Sequence, residues 1–396
     1  MQTIETLDPV VPYQIADFIA AAEALGPLID EHRTALASGP DIPVSIAHAL
    51  EQAGLTRLGL PHDLGGPELP PSDIIRVIEA IARHDGAVAW CAVIASNGSR
   101  FAGMLPFETA RELFGDHGFA SGSISGSGTA VPDQDGWRLN GKWSFASFIR
   151  HSKLTGALCM EYENGVPRHS PLGDPVLSCF FVPTEKVKIL YNWNGGGLRA
   201  SGSHDFVLQD VWVPREHAIP FPVSVPHQPG ALYRLPLMTA LAFNLSAVPL
   251  GIARASIDAL VNLAANKVPF AAQTKLREQV SAQADVAHAE TLLRAARAFL
   301  FEAVDDFWAT AVAGETPTLV QRAMARMAIC NVAQASKQVV NLMYSAAGSS
   351  ATEERFPFAA QLRDVYAATQ HIAFSPHNME VAGRILLGLE PGTTRF

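Results

Sequence analysis

One change of texture divides this chain more sharply than any motif in it. Up to about residue 114, and again from about residue 232 to the end, apolar residues recur at three- and four-residue steps in Ala- and Leu-rich stretches, the period of packed helices. Between about 119 and 222 the texture differs. "GWRLNGKWSFAS", "KLTGALCM", "VLSCFFVP", "KVKIL" and "HDFVLQDVWVP" are short, aromatic and β-branched, and Gly, Pro and Asn separate them. The order is therefore helices, a compact β-domain, then helices. In the first block "DFIAAAEALGPLIDEHRTAL" and "SDIIRVIEAIARHDGAVAWCAVIASNG" read as helical, with Asp and Ser as N-caps, and residues 61–73 form a loop. In the last block Ala282, Val286, Ala289, Leu293, Ala296, Leu300, Val304 and Phe307 make one stripe of a long helix. A second helix runs through "RMAICNVAQASKQVVNLMYSAAG", with Gly348 as its stop.

The 396 residues suffice for two or three structural units, and 48% hydrophobic against 17% charged residues describes an ordered chain. A net charge of −9 without a basic run speaks against nucleic acid as a partner. Cys91, Cys159, Cys179 and Cys330 are too scattered for a zinc cage or a disulfide framework. The N-terminus lacks a signal-peptide pattern, so the cytoplasm is the expected location. The uncharged run 235–253 is long enough to cross a membrane, but Pro236, Asn244, Pro249 and Gly251 interrupt it, and we read it as a buried helix with no membrane partner.

The glycine-rich segments do not cradle phosphate. "NGGGLRASGSHDFVLQDVWVP" (194–214) and "SGSISGSGTAV" are each followed by a strand, so no helix N-terminus awaits an anion. "GWRLNGKW" has the Gly136-to-Lys142 spacing of a P-loop, but Trp143 stands where Ser or Thr would hold the metal, and "LNGKW" reads as a hairpin turn. The histidines do not cluster at metal spacing; His371 and His377, six apart, do not share a helix face. No metal site is expected.

"GKWSFAS", "GGGLRASGSHDFVLQDVWVP" and "LRDVYAATQH", in this order within a helix–β–helix chain, resemble the acyl-CoA dehydrogenase superfamily. The resemblance implies an α+β fold: an N-terminal helical domain (1–117), a middle β-barrel or sandwich domain (118–225) and a C-terminal four-helix bundle (226–396). "W-x-F-A-S" at 143–147 and "R-D-x6-H" at 363–371 are more similar to the flavin-dependent monooxygenase branch. That branch implies an oxygenase component using FMNH2 or FADH2 and O2, through a C4a-hydroperoxide, to oxidise an aromatic or heterocyclic small molecule. A separate NAD(P)H:flavin reductase would supply the flavin, and the assembly would be a homotetramer.

Carried over residue by residue, the resemblance places Ser147 at flavin N5, where a hydroxyl can donate or accept. It places Phe145 beside the ring system and Ser123 and Ser125 near the pyrimidine edge. "KVPF" puts Lys267 and Phe270 where a cation meets the cofactor phosphate. His371 falls where oxygen and substrate meet, as a hydrogen-bonding group or a proton carrier near neutral pH. Ser203 and Asp205 would shape the hairpin beside the flavin. Each has a plainer alternative: a serine bonded to backbone, a core aromatic, a solvated lysine, a structural histidine. A dehydrogenase would need a carboxylate base, but neither 217–256 nor 365–379 contains Asp or Glu. The chain also departs from its relatives. Ser96 or Asn97 stands where several carry a histidine after the "D-G-x-x-x-W-C" pattern (85–91), and Phe148 replaces a glycine after Ser147. Asn97 and Phe148 are thus expected in a reshaped substrate pocket. An acyl-CoA dehydrogenase-like flavoprotein oxidoreductase with its base placed elsewhere, and a flavin-free protein on the same fold, are the alternatives.

Overall fold

A computed structural model describes residues 13–115, 118–171, 173–222, 225–270 and 272–393. Helices fill the chain from Ile15 to Phe114, a sheet follows, and helices resume at Ala231. The sheet comprises β1 (Ala120–Asp133), β2 (Gly136–Ala146), β3 (Leu154–Glu163), β4 (Val166–Pro167), β5 (Leu177–Pro183), β6 (Lys188–Ile189), β7 (His204–Pro214) and β8 (Ala218–Phe221). Its order is β6-β7-β2-β1-β3-β5-β8, with β4 on β3, and only β1 and β3 run parallel. Trp137, Trp143, Phe180 and Phe206 fill a core of its own, while Phe119, Phe148 and Phe181 join the helical core. The sheet therefore leans one face on the helices, and the candidate site lies along that contact.

Asp85 shows how local chemistry sets an element. "SDIIRVIEAIARHDGAVAWCAVIASNG" is two helices, Pro71–His84 and Gly86–Ser99, because Asp85 is extended and its carboxylate accepts from the Ala87 and Val88 N–H groups. The expected Asp and Ser caps further upstream do not form. Asp17 and Asp73 lie inside the first turns of their helices, where they meet the positive end of the backbone dipole instead.

The "LNGKW" hairpin turn is also corrected. β2 passes straight through Asn140 and Gly141, and the turn sits six residues earlier, between Asp133 and Gly136. Asn140 Oδ1 accepts from the Asp210 N–H across a shift of register between β2 and β7, where β7 carries the extra residue, so the Asn-Gly pair faces a bulge in β7.

In the last block the long stripe is a helix, Val280–Val312, and the next helix, Leu319–Ala347, stops at Gly348 with φ +56°. The run Leu237–Ala264 is apolar and long enough to cross a membrane, and it is largely buried, packing against Pro71–His84.

Candidate active site

The end of β2 carries the first candidate. Ser147 is buried, and its Oγ accepts the indole N–H of Trp90 at 3.0 Å and shares a hydrogen bond of 2.7 Å with Ser203 Oγ. Ser203 Oγ in turn meets Ser201 Oγ at 2.8 Å. The Ser147 carbonyl accepts from Ser121 Oγ at 2.5 Å, which ties the end of β2 to β1.

Trp90 comes from the helix Gly86–Ser99, and its ring stands edge-on to His371, with centroids 5.9 Å apart. One indole thus joins a serine of the sheet to a histidine of the last block. Trp90 was visible in the sequence only as part of a pattern. Nothing in the linear order says that its N–H reaches a residue 57 positions away.

His371 Nδ1 accepts from the Ala373 N–H at 3.2 Å, so the neutral ring carries its proton on Nε2. Burial alone pulls its pKa down from 6.5 to about 4. The ring is uncharged at neutral pH. That narrows the expected role: a neutral imidazole donates a hydrogen bond or accepts a proton, but is not an imidazolium acid near pH 7.

The glycine loop ahead of β7 docks on the helix Phe358–Ala368. A Cβ on Gly197 would lie 2.1 Å from the Arg363 carbonyl oxygen, and the Leu198 N–H donates to Asp364 Oδ1 at 2.6 Å. The segment is therefore a turn feeding a strand, packed on the helix that leads to His371. Burial, then the nearby Asp85, push the Asp364 carboxyl up to about 7. Asp205 pairs with Lys142 at 2.9 Å, and its N–H donates to Asn192 Oδ1, which holds the β6–β7 side of the loop.

The other expected site residues divide between the surroundings of Ser147 and packing elsewhere. Phe145 is 68% exposed with φ +64° and stands edge-on to Trp193 at 6.2 Å. Ser123 and Ser125 share a hydrogen bond where β1 leaves its pairing with β3, which resumes at Gly128. Phe148 is 1% exposed and stacks on Phe119 at 4.5 Å, so its ring fills core where a glycine would leave a void. Asn97 is buried two turns beyond Trp90 on the same helix face. Its Nδ2 donates to the Leu241 carbonyl and its Oδ1 accepts from Asn244, a bracket between helices.

Lys267 does not meet the group near Ser147. Its ammonium donates to the Ala347 carbonyl at 2.5 Å and to Ser350 Oγ at 2.9 Å, capping the negative end of the helix Leu319–Ala347. Phe270 is fully exposed beside it, and both line an open cleft of about 470 Å³ that includes none of Ser147, Trp90 or His371. Among the described residues no cluster of His, Cys, Asp and Glu lies within metal-binding reach.

The comparisons with known proteins follow this geometry. Residues 243–376 match the family model described as acyl-CoA dehydrogenase, C-terminal domain. Indole-3-acetate monooxygenase of Pseudomonas putida is 28% identical over 351 residues, covering 87% of both chains. The flavin-dependent monooxygenase oxygenase subunit HsaA of Mycobacterium tuberculosis is 25% identical over 387 residues, covering 95% of this chain and 96% of its own. The chain is thus similar to the acyl-CoA dehydrogenase superfamily over residues 243–376, and over most of its length to members of the flavin-dependent monooxygenase branch. It is an enzyme, the oxygenase component of a two-component monooxygenase, and works with reduced flavin and O2. The fold agrees: XiaF from Streptomyces sp., in complex with FADH2 and glycerol, superposes with a TM-score of 0.87 at 20% identity over 96% of this chain and 97% of its own.

The local donor set suits a flavin ring. A buried hydroxyl that can donate or accept stands at Ser147, a neutral imidazole stands across Trp90 from it, and β1 leaves its ladder nearby at Ser123.

Proposed function

We propose that this flavin-dependent monooxygenase oxidises an aromatic or heterocyclic small molecule, at a ring carbon or a heteroatom, beside the Trp90 edge that Ser147 and His371 share. The observation that carries the reading is that contact itself: Trp90 hydrogen-bonds Ser147 at 3.0 Å and packs on His371 at 5.9 Å. Reduced flavin, when bound, supplies the electrons that activate O2. The chain does the rest. Ser147 orients the ring through its hydroxyl at N5, with Phe145 and Trp193 beside it and Ser123 and Ser125 toward the pyrimidine edge. His371 offers Nε2–H to the oxygen being transferred or to a polar substituent of the substrate. The apolar surroundings that depress the His371 pKa also keep water from competing for that hydrogen bond.

The P. putida relative is named for indole-3-acetate, which supports a flat aromatic substrate. A separate NAD(P)H:flavin reductase delivers FMNH2 or FADH2. The homotetramer we favour is supported by apolar side chains exposed on the last block, Val261, Val280, Val312 and Val320. Its place of work is the cytoplasm.

The dehydrogenase reading finds no base. Glu380, the first acid after His371, is exposed and paired with His377, and Asp364 is buried and holds the Leu198 N–H. The test is anaerobic mixing with FMNH2 or FADH2, then oxygenated buffer, followed by rapid-scan absorbance. Reoxidation slower than that of free flavin is expected. Rates equal to free flavin with both cofactors, together with bleaching of bound oxidised flavin by a CoA thioester, would overturn the reading.

A further inference from the structure

The hydroxyl chain behind Ser147 has a property that a single serine lacks. A hydroxyl has one proton and two lone pairs. At Ser147 one lone pair is taken permanently, because an indole N–H donates and never accepts. The bond to Ser203 runs in either direction, and so does the bond from Ser203 to Ser201. If Ser201 donates to Ser203 and Ser203 to Ser147, the Ser147 proton is the only group left to point outward. If the order reverses, Ser147 gives its proton to Ser203 and turns its remaining lone pair outward. All three serines and Trp90 are buried, so water does not supply the alternative partners.

We propose that Trp90, Ser203 and Ser201 are positioning residues that make Ser147 a reversible donor or acceptor toward flavin N5. The inference rests on the reading of Ser147 given above. Oxidised N5 is an acceptor and meets the outward proton; reduced N5 bears a hydrogen and meets the outward lone pair. No proton changes owner inside the chain. Each hydroxyl only rotates about its C–O bond, while Trp90 holds the Ser147 oxygen in place.

The two faces respond differently to substitution. In Ser203→Ala, Ser147 keeps its bond to Trp90 and still donates outward, so the acceptor form of the flavin is bound nearly as before. To receive N5–H, however, Ser147 must turn its proton toward a methyl group. The affinity for reduced flavin should fall by about five-fold or more, the worth of one buried hydrogen bond, and that for oxidised flavin by less than about two-fold. Ser201→Ala should show the same asymmetry more weakly. Ser203→Thr, which keeps a hydroxyl, should restore the wild-type ratio. Trp90→Phe removes the fixed donor and should weaken both redox states in parallel.

The measurement is anaerobic and aerobic fluorescence titration of the full-length protein and each variant with FMN and FAD in both redox states. Thermal denaturation of the flavin-free variants checks that each is folded. A changed ratio of reduced to oxidised affinity in Ser203→Ala, restored by Thr, supports the chain. Equal changes in both redox states, or none in a folded variant, overturn it. Wild-type protein that binds neither redox state of either flavin would instead overturn the functional reading.

Discussion

His371→Gln isolates the most strongly perturbed group of the site. Burial holds the folded imidazole at about 4, against 6.5 for an ordinary histidine. Above pH 6.5 both folded and unfolded chains carry a neutral ring, so the group contributes nothing to the pH dependence. As the pH falls from 6.5 toward 4, the unfolded chain takes up the proton first, and stability is lost through that window before levelling off below it. At pH 5 the difference in proton binding is worth about 2 kcal/mol, and about 3 kcal/mol at pH 4. A chain of 396 residues has an unfolding entropy of about 0.8 kcal/mol per degree near its midpoint, so 2 kcal/mol appears as a fall of about 2–3 °C in Tm. Glutamine does not titrate but can still accept from the Ala373 N–H. Thermal unfolding of both proteins at pH 7.5 and pH 5 reads the effect. The wild type should lose about 2–3 °C more than the variant over that interval. Parallel losses would refute the buried, neutral imidazole.

Two further substitutions test the surrounding architecture. Lys267→Met removes a cation that bonds the end of the helix Leu319–Ala347, and should lower the stability of the flavin-free protein by about 2 kcal/mol, again near 2–3 °C in Tm; an unchanged Tm would return this lysine to a ligand role. Gly197→Ala places a methyl against the Arg363 carbonyl, so the loop must lift off the helix that leads to His371. A loss of about 1–3 kcal/mol, with weaker flavin binding than wild type, is expected from denaturant melts and titration. Unchanged stability would show that the close approach is not needed.

Much of the architecture is legible along the chain because it depends on local periodicity. Seven of the eight stripe positions between Ala282 and Phe307 are buried on a single helix, and the eighth, Val286, is half-buried and packs against them. Gly348 stops the next helix because a positive φ suits a residue without a side chain. Asn140-Gly141 misled for an equally physical reason. The same dipeptide can close a hairpin turn or run through a strand opposite a bulge, and the choice depends on the partner strand, here β7 around Asp210. Lys267 shows the limit for binding residues: a conspicuous cation beside an exposed Phe suits a phosphate, yet its ammonium is engaged by a helix end 80 residues away.

The order of helices, sheet and helices and the types of residue available for chemistry are legible along the chain, and the two segments that the superfamily resemblance marks for a dehydrogenase base hold no carboxylate. The order of elements follows from composition and from periods of two and three to four residues, which local backbone geometry imposes. Folding in three dimensions is what joins Ser147 to His371 through Trp90, splits one helical pattern in two at Asp85, and keeps the His371 ring neutral at pH 7. Hydrogen bonds between segments far apart in the chain, and the desolvation that shifts a pKa, depend on which surfaces meet. A linear sequence carries no local signal of that.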